Sequence, residues 1–194
     1  MHNKQFSGEG TVMVKRVGNK ELLAKSLMEL MEQKPLAKVS VQMIAENCGL
    51  TRQTFYYYYK DKYDLVNQVF QKLVNDVYGA SSPDTPWEKV LGDMLFNMQQ
   101  HRKFYANALA HTSQNSLDSF MKEYTRTAYV RALEKRIPSG DISEDLTFAI
   151  TFNSYGAVGV MSEWIENDMR EDPYLLAARI AENMPGPMKV YFLQ

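Results

Sequence analysis

The sequence predicts an all-α protein, with a small N-terminal three-helix unit followed by a larger helical body. Three observations carry this. No segment of the 194 residues alternates apolar and polar side chains as a half-buried strand does. Apolar residues instead recur at three- and four-residue steps, as at Leu23, Leu27, Leu30 and Met31. Residues 40–62 read as two short helices with a tight joint at Gly49.

Residues 1–18 show no periodicity, and Gly8 and Gly10 interrupt any helix there, so they are expected to form a flexible arm carrying Lys4, Lys15 and Arg16. The first helix is expected over about residues 20–33, capped by Asn19 and ended by Pro35. Ser40 is placed to cap the second, because its hydroxyl accepts a free N–H of the opening turn. Gly49 supplies the left-handed residue that stops it, and Thr51 caps the third. Helices of about eight residues are unstable alone. Two joined by a glycine must pack on neighbours, which is a helix-turn-helix arrangement.

Asp61 caps a fourth helix whose stripe, Leu65, Val66, Phe70, Leu73, Val74 and Val77, is long enough to leave the small unit and enter the body. Asp64 favours the positive end of its dipole. The run 79–86 is turn chemistry throughout. Further helices are expected over about 87–100, 102–111, 117–136, 143–168 and 173–183. The 143–168 segment is the most apolar and holds Gly156 and Gly159 inside it. Glycine within a helix costs about 1 kcal/mol against alanine, so close approach of a second helix is expected there.

The third helix tells more when projected at 100° per residue. Phe55, Tyr58, Tyr59 and Thr51 fall on one side; Gln53, Tyr56, Tyr57 and Lys60 fall on the other, with Arg52 and Thr54 on the flanks. The second side carries amide, phenol and ammonium groups without a carboxylate. Such a surface suits the major groove and its bordering phosphates. Gln53 is the best candidate for a base edge, since an amide bonds adenine in two places. Gln42, Thr54 and Tyr57 are placed to join it, and Arg52 to reach guanine or phosphate.

Charge is distributed accordingly. Residues 1–62 hold ten Lys/Arg against six Asp/Glu, and the remainder twelve against seventeen. Basic charge on the part that holds these short helices and acidic charge elsewhere fits a DNA binder with a separate body. The single cysteine, Cys48, excludes an intramolecular disulfide and fits a reducing interior, where it serves as a small buried hydrophobe. There is no apolar run near the ~20 residues that span a bilayer and no secretory h-region, so a cytoplasmic protein without membrane contact is expected. The three histidines, His2, His101 and His111, have no metal-ligand spacing, and there is no Cys-x-x-Cys and no phosphate loop. No catalytic residue, metal or cofactor is expected.

The run from Val39 to Phe70 resembles the DNA-binding domain of TetR/AcrR-type transcriptional regulators. Residues 51–65, Thr-Arg-Gln-Thr-Phe-Tyr-Tyr-Tyr-Tyr-Lys-Asp-Lys-Tyr-Asp-Leu, look like that family's Thr-Phe-Tyr-x-x-Phe-x-x-Lys-x-x-Leu signature. Tyr58 stands where His is common and Tyr59 where Phe is common. The resemblance implies that Tyr56, Lys60 and Lys62 hold the phosphate backbone, with Thr51 at the same surface. It implies a repressor, the family's common mode, acting as a homodimer on a palindromic double-stranded operator. It also implies dimerisation through the last two long helices as a four-helix bundle, which brings Gly156, Gly159, Val160 and Trp164 to the interface. The expected division is 1–18 arm, 19–64 helix-turn-helix domain, and 65–194 effector-binding and dimerisation domain.

Candidate effector contacts in the body are Tyr105, Asn107, His111, Gln114, Asn115, Tyr124, Asn153, Tyr155 and Trp164. The string 101–109, His-Arg-Lys-Phe-Tyr-Ala-Asn-Ala-Leu, with Gln114-Asn115-Ser116, is similar to a branch that includes regulators of dihydroxyacetone-kinase operons, some of which take their signal from a partner protein. A small-molecule effector and a partner protein both stay open, as do activation and repression. A helical interaction module without DNA affinity is the remaining alternative, though it has no use for the surface from Arg52 to Lys62.

Overall fold

The computed structural model describes residues 18–82, 84–111, 116–134, 136–137 and 141–193. The arm expected over residues 1–18 lies outside this set apart from Gly18, and so do Gln114 and Asn115. Among the described residues there are ten α-helices, one 3₁₀ turn and no strand.

In chain order these are α1 (Asn19–Met31), the 3₁₀ turn (Leu36–Lys38), α2 (Val41–Asn47), α3 (Arg52–Tyr58), α4 (Lys62–Ala80), α5 (Trp87–Gln100), α6 (Arg102–Leu109), α7 (Leu117–Glu134), α8 (Glu144–Glu166), α9 (Pro173–Glu182) and α10 (Gly186–Phe192). The fold is an N-terminal helix-turn-helix unit followed by a helical body. Two elements had no strong signal. The 3₁₀ turn is too short to show periodicity, and α10 is masked in the sequence by Pro185, Gly186 and Pro187. The start of α1 is also corrected: Asn19 lies inside the helix, and Gly18 is the cap residue, its N–H donating to the Glu21 carboxylate at 3.4 Å.

A single large cluster runs through most of the chain. Leu23 and Leu27 of α1 meet Ile44, Phe55 and Leu65, and through Phe70 and Val74 of α4 the cluster continues to Leu95, Met98, Met161 and Trp164. Helix α4 is therefore shared. Its first two turns close the small unit, while Phe70 meets Phe120 and Tyr124 of α7 edge-on, at 6.3 and 6.0 Å between ring centres. A second cluster gathers Tyr129, Leu133, Leu146, Ala149 and Ile150 around Met184 and Met188, which lead into and line α10.

Helices α5 and α9 pack closely because Gly92 has no side chain. A β-carbon there would overlap the Tyr174 ring. That ring stacks on Phe96, and its hydroxyl donates to Asp93 at 2.8 Å. Gly92→Ala is expected to force the helices apart and cost about 1–3 kcal/mol, as overpacked cores do. Urea unfolding measures it, and Tyr174→Ala in the same chain is expected to remove most of the penalty.

Candidate nucleic-acid interface

Local chemistry builds the joint around α3. The Ser40 hydroxyl accepts the Met43 N–H at 3.2 Å, capping α2. Gly49 turns left-handed, with φ of 70°, and lets the Leu50 N–H reach back to the Ala45 carbonyl at 2.9 Å. Thr51 then caps α3 by accepting the Thr54 N–H at 3.1 Å, and the two threonine hydroxyls lie 3.0 Å apart. On the far side Asp61 accepts the N–H groups of Tyr63 and Asp64 at 2.8 Å each. Asp64 in turn accepts the Lys60 N–H at 2.9 Å, tying the end of α3 to the start of α4.

Helix α3 divides its aromatic residues between two environments. Phe55 is fully buried and Tyr59 nearly so, with rings 5.6 Å apart, whereas Tyr56 and Tyr57 are 51% and 80% exposed. Tyr58 is half-buried under the Lys20 ammonium. The Tyr59 hydroxyl donates to the Lys20 carbonyl at 3.5 Å, and burial pushes its pKa up to about 12, so it stays a phenol. Arg52, Gln53 and Lys60 are exposed beside Tyr56 and Tyr57, and no carboxylate lies between residues 52 and 60. The Arg52 guanidinium sits 5.9 Å over the Tyr56 ring, an arrangement that holds the cation over the outer face. Thr51 is exposed and Thr54 half-buried, sharing the cap. Gln42 is exposed on α2, with its amide bonded to Glu46 one turn on.

Lys62 is placed differently from the expectation. Its ammonium donates to the carbonyls of Leu36 at 2.7 Å, Val39 at 2.8 Å and Ala37 at 3.3 Å. The Leu36 carbonyl also accepts the Val39 N–H at 3.1 Å, so the ammonium adds a second donor there, and three ammonium protons match three acceptors. Desolvation lowers the Lys62 pKa, with Asp61 opposing it. This role depends on the fold bringing residue 62 to residues 36–39, so no local pattern announces it.

The body does not gather the seven effector candidates that lie within the described residues. An apolar pocket of about 70 Å³, partly open to solvent, lies between α4, α5, α7 and α8, lined among others by Phe70, Trp87, Met94, Tyr124, Ala128 and Met161. Only Tyr124 of the expected residues lines it, with its hydroxyl on Asn75 at 3.0 Å. Tyr105 is buried against Phe104, and desolvation raises its pKa. Asn107 bonds the backbone around the end of α1, and His111 stacks on Tyr63 with ring centres 4.3 Å apart. Asn153 is buried facing a shallower hollow between α8 and α9, and Tyr155 is exposed at 3.5 Å from Glu123. The cavity liners the sequence did not single out belong to four separate helices, so only the assembled fold brings them together.

On α8, Gly156, Gly159 and Val160 face outward, with open space around both glycines. Trp164 does not join them. It is 5% exposed, and its indole N–H donates to the Glu171 carbonyl at 3.0 Å within its own subunit. The same face instead presents Phe148 and Phe152, stacked on each other and 73% and 65% exposed.

Comparison with known proteins agrees with this geometry. Residues 23–69 match the model for bacterial regulatory proteins of the tetR family, and residues 85–186 match a transcriptional regulator C-terminal region. The dhaKLM operon transcriptional activator DhaS of Lactococcus lactis subsp. lactis (strain IL1403) is 25% identical over 93 residues, 48% of this chain and 50% of that protein. The regulator YuxN of Bacillus subtilis (strain 168) is 27% identical over 101 residues, 48% of this chain and 35% of that one. The matches thus span half or less of these relatives' length. Among solved structures, the dihydroxyacetone kinase operon activator DhaS superposes with a TM-score of 0.64 at 18% identity, covering 89% of this chain and 97% of that one. The transcriptional regulator FadR of Bacillus subtilis, solved in complex with stearoyl-CoA, gives 0.58 at 18% identity, covering 86% and 97%. At such identities the structures speak for the fold alone.

The two lysines that flank the α3–α4 joint are expected to separate in a stability measurement. Lys62→Ala strands carbonyls that its ammonium satisfies and is expected to cost about 1–3 kcal/mol. Lys60→Ala, on the exposed side, is expected to change stability by less than about 0.5 kcal/mol. Equal losses in urea unfolding would refute the capping role of Lys62.

Proposed function

This chain belongs to the TetR family of bacterial transcriptional regulators, and we propose that it works as a homodimer that grips a palindromic operator with two copies of α3 and represses the adjoining genes. One observation carries the reading: a seven-residue helix is anchored from below by Phe55 and Tyr59 and turns Gln53, Tyr57 and Lys60 to solvent. Gln53 reads a base edge, with Thr54, Tyr57 and Gln42 beside it. Arg52 and Lys60 take phosphate or guanine, and Thr51 and Tyr56 position the helix on the backbone. Two such helices enter successive major grooves, nominally ~34–36 Å apart. The division of labour follows the chain: reading over 19–64, pairing and sensing over 65–194. The protein acts in the cytoplasm, where its operator is, and no described helix is long and apolar enough to cross a membrane.

Pairing uses the outward face of α8 together with α9. Phe148, Phe152 and Val160 form an apolar strip there, and Gly156 and Gly159 leave room for a facing helix. The apolar cavity is the seat of an effector. No charged side chain lines it, so it suits a small neutral ligand and not a coenzyme A headgroup such as that of the FadR ligand. Likeness to an operon activator favours a second reading, in which the same grip recruits transcription and a partner protein delivers the signal. A reporter placed behind the recovered operator separates the two by the direction of its change.

Gln53→Ala is expected to relax preference at one base step, with a loss of about 1–3 kcal/mol on the correct site only. Lys60→Ala is expected to weaken specific and random duplexes alike and to flatten the salt dependence by about one unit of slope. Fluorescence anisotropy against both duplexes reads the split, and equal behaviour of the two variants would refute the assigned roles. For pairing, Phe152→Glu is expected to give monomers in sedimentation while keeping the helical content. A dimer that survives it places the interface elsewhere.

A further inference from the structure

Asn107 lies on α6, in the body, yet both of its donors and its oxygen are directed at the reading unit. Its Nδ2 donates to the carbonyls of Met31 at 2.9 Å and Lys34 at 2.8 Å, and its Oδ1 accepts the Leu36 N–H at 2.7 Å. The need for such a group is set by the sequence. Helix α1 ends at Met31, its final carbonyls have no helical partner, and Pro35, four residues past Met31, has no N–H to offer. One amide supplies two missing donors and takes up the N–H that opens the 3₁₀ turn.

The peptide it holds is held again from the other side. Leu36 gives its N–H to Asn107 and its carbonyl to the Lys62 ammonium at 2.7 Å. Lys62 opens α4, directly after the Asp61 cap and three residues after the Tyr59 ring on which α3 rests. Asn107, Leu36 and Lys62 therefore form a continuous set of short hydrogen bonds from α6 to the first residue of α4, next to the end of α3. Two further contacts flank it: Lys103 of α6 meets Glu32 at 3.2 Å, and His111, just past the end of α6, stacks on Tyr63.

We infer that Asn107 is a positioning residue for DNA reading: it fixes the turn between α1 and α2, and through Lys62 it sets the angle at which α3 is presented. This rests on the regulator reading above, since it names how the body of that regulator holds its reading helix.

The test uses the full chain, a duplex recovered by the wild-type protein from a random pool, and a random duplex of the same length. Asn107→Ala is expected to raise amide exchange at residues 35–39 and to lower affinity for the recovered duplex on the order of tenfold, as loss of several hydrogen bonds implies. The dimer and the salt slope are expected to stay as they were. Leu133→Ala, in the cluster around α10, serves as a control for lost stability and is expected to leave affinity unchanged. Asn107→Asp keeps the acceptor for Leu36, gives up both donors and is expected to behave like the alanine variant, which guards against a chain that fails to fold. Unchanged exchange at 35–39, or an equal fall in affinity for Leu133→Ala, overturns the positioning role. A wild-type chain that enriches no duplex overturns the regulator reading, and this proposal with it. Enrichment by wild type with undiminished binding by Asn107→Ala overturns this proposal alone.

Discussion

The structure depends on the burial of one ring on a helix too short to stand by itself. Helix α3 is seven residues long, and an isolated helix of that length is not populated in water. Phe55 supplies what propensity cannot. It is fully buried against α1, α2 and α4, and removing such a ring from a core costs about 3–5 kcal/mol. Tyr59 adds a second buried ring one turn on, at the end of the helix. With the inner face fixed this way, Gln53, Tyr57 and Lys60 are free to be polar and exposed, because no outward group is needed to hold the helix down. A surface helix anchored through its outer side would have no free face for a ligand.

The same constraint explains why the reading unit and the body share α4. The core beneath α3 is small, and Leu65 and Val66 close it from the side on which α4 begins. Phe70 and Val74 of the same helix lie in the body, beside the cavity. A rigid helix of 19 residues spans about 28 Å at 1.5 Å per residue, so a small rotation near its cavity end displaces its first turn appreciably. Asn107 of α6 and His111 just past its end grip the 3₁₀ turn and the first turn of α4. Two routes therefore run from body to α3, one through packing and one through hydrogen bonds.

Features that depend on neighbours in sequence were legible before the fold was known. The caps at Ser40, Thr51 and Asp61 each serve an N–H two or three residues on, so residue type and position sufficed. The split of α3 into two faces follows from 3.6 residues per turn and needed nothing more. What escaped is tertiary in origin. A lysine next to a cap reads as a phosphate contact until the fold brings the carbonyls of residues 36–39 to it. An asparagine on an amphipathic helix reads as a ligand contact until the proline-broken end of α1 lies beside it. Trp164 looks like an interface residue by composition, yet its indole finds the Glu171 carbonyl seven residues away, past a turn in which Asp168 and Met169 are both left-handed. No pattern of apolar spacing encodes that turn.

Under the dimeric reading, the modest equipment of α3 is itself informative. A handful of outward polar groups on seven residues makes few base contacts, each worth about 1–3 kcal/mol at best. One copy offers little discrimination against the many random sites of a chromosome. Two copies on a fixed frame convert the second encounter into an intramolecular one, and the gain exists only while the frame holds both helices at the groove spacing. Affinity then depends more on the geometry of the frame than on any single contact. That makes the turn gripped by Asn107 an effective place to control binding, because a small error in the angle of each α3 is felt twice.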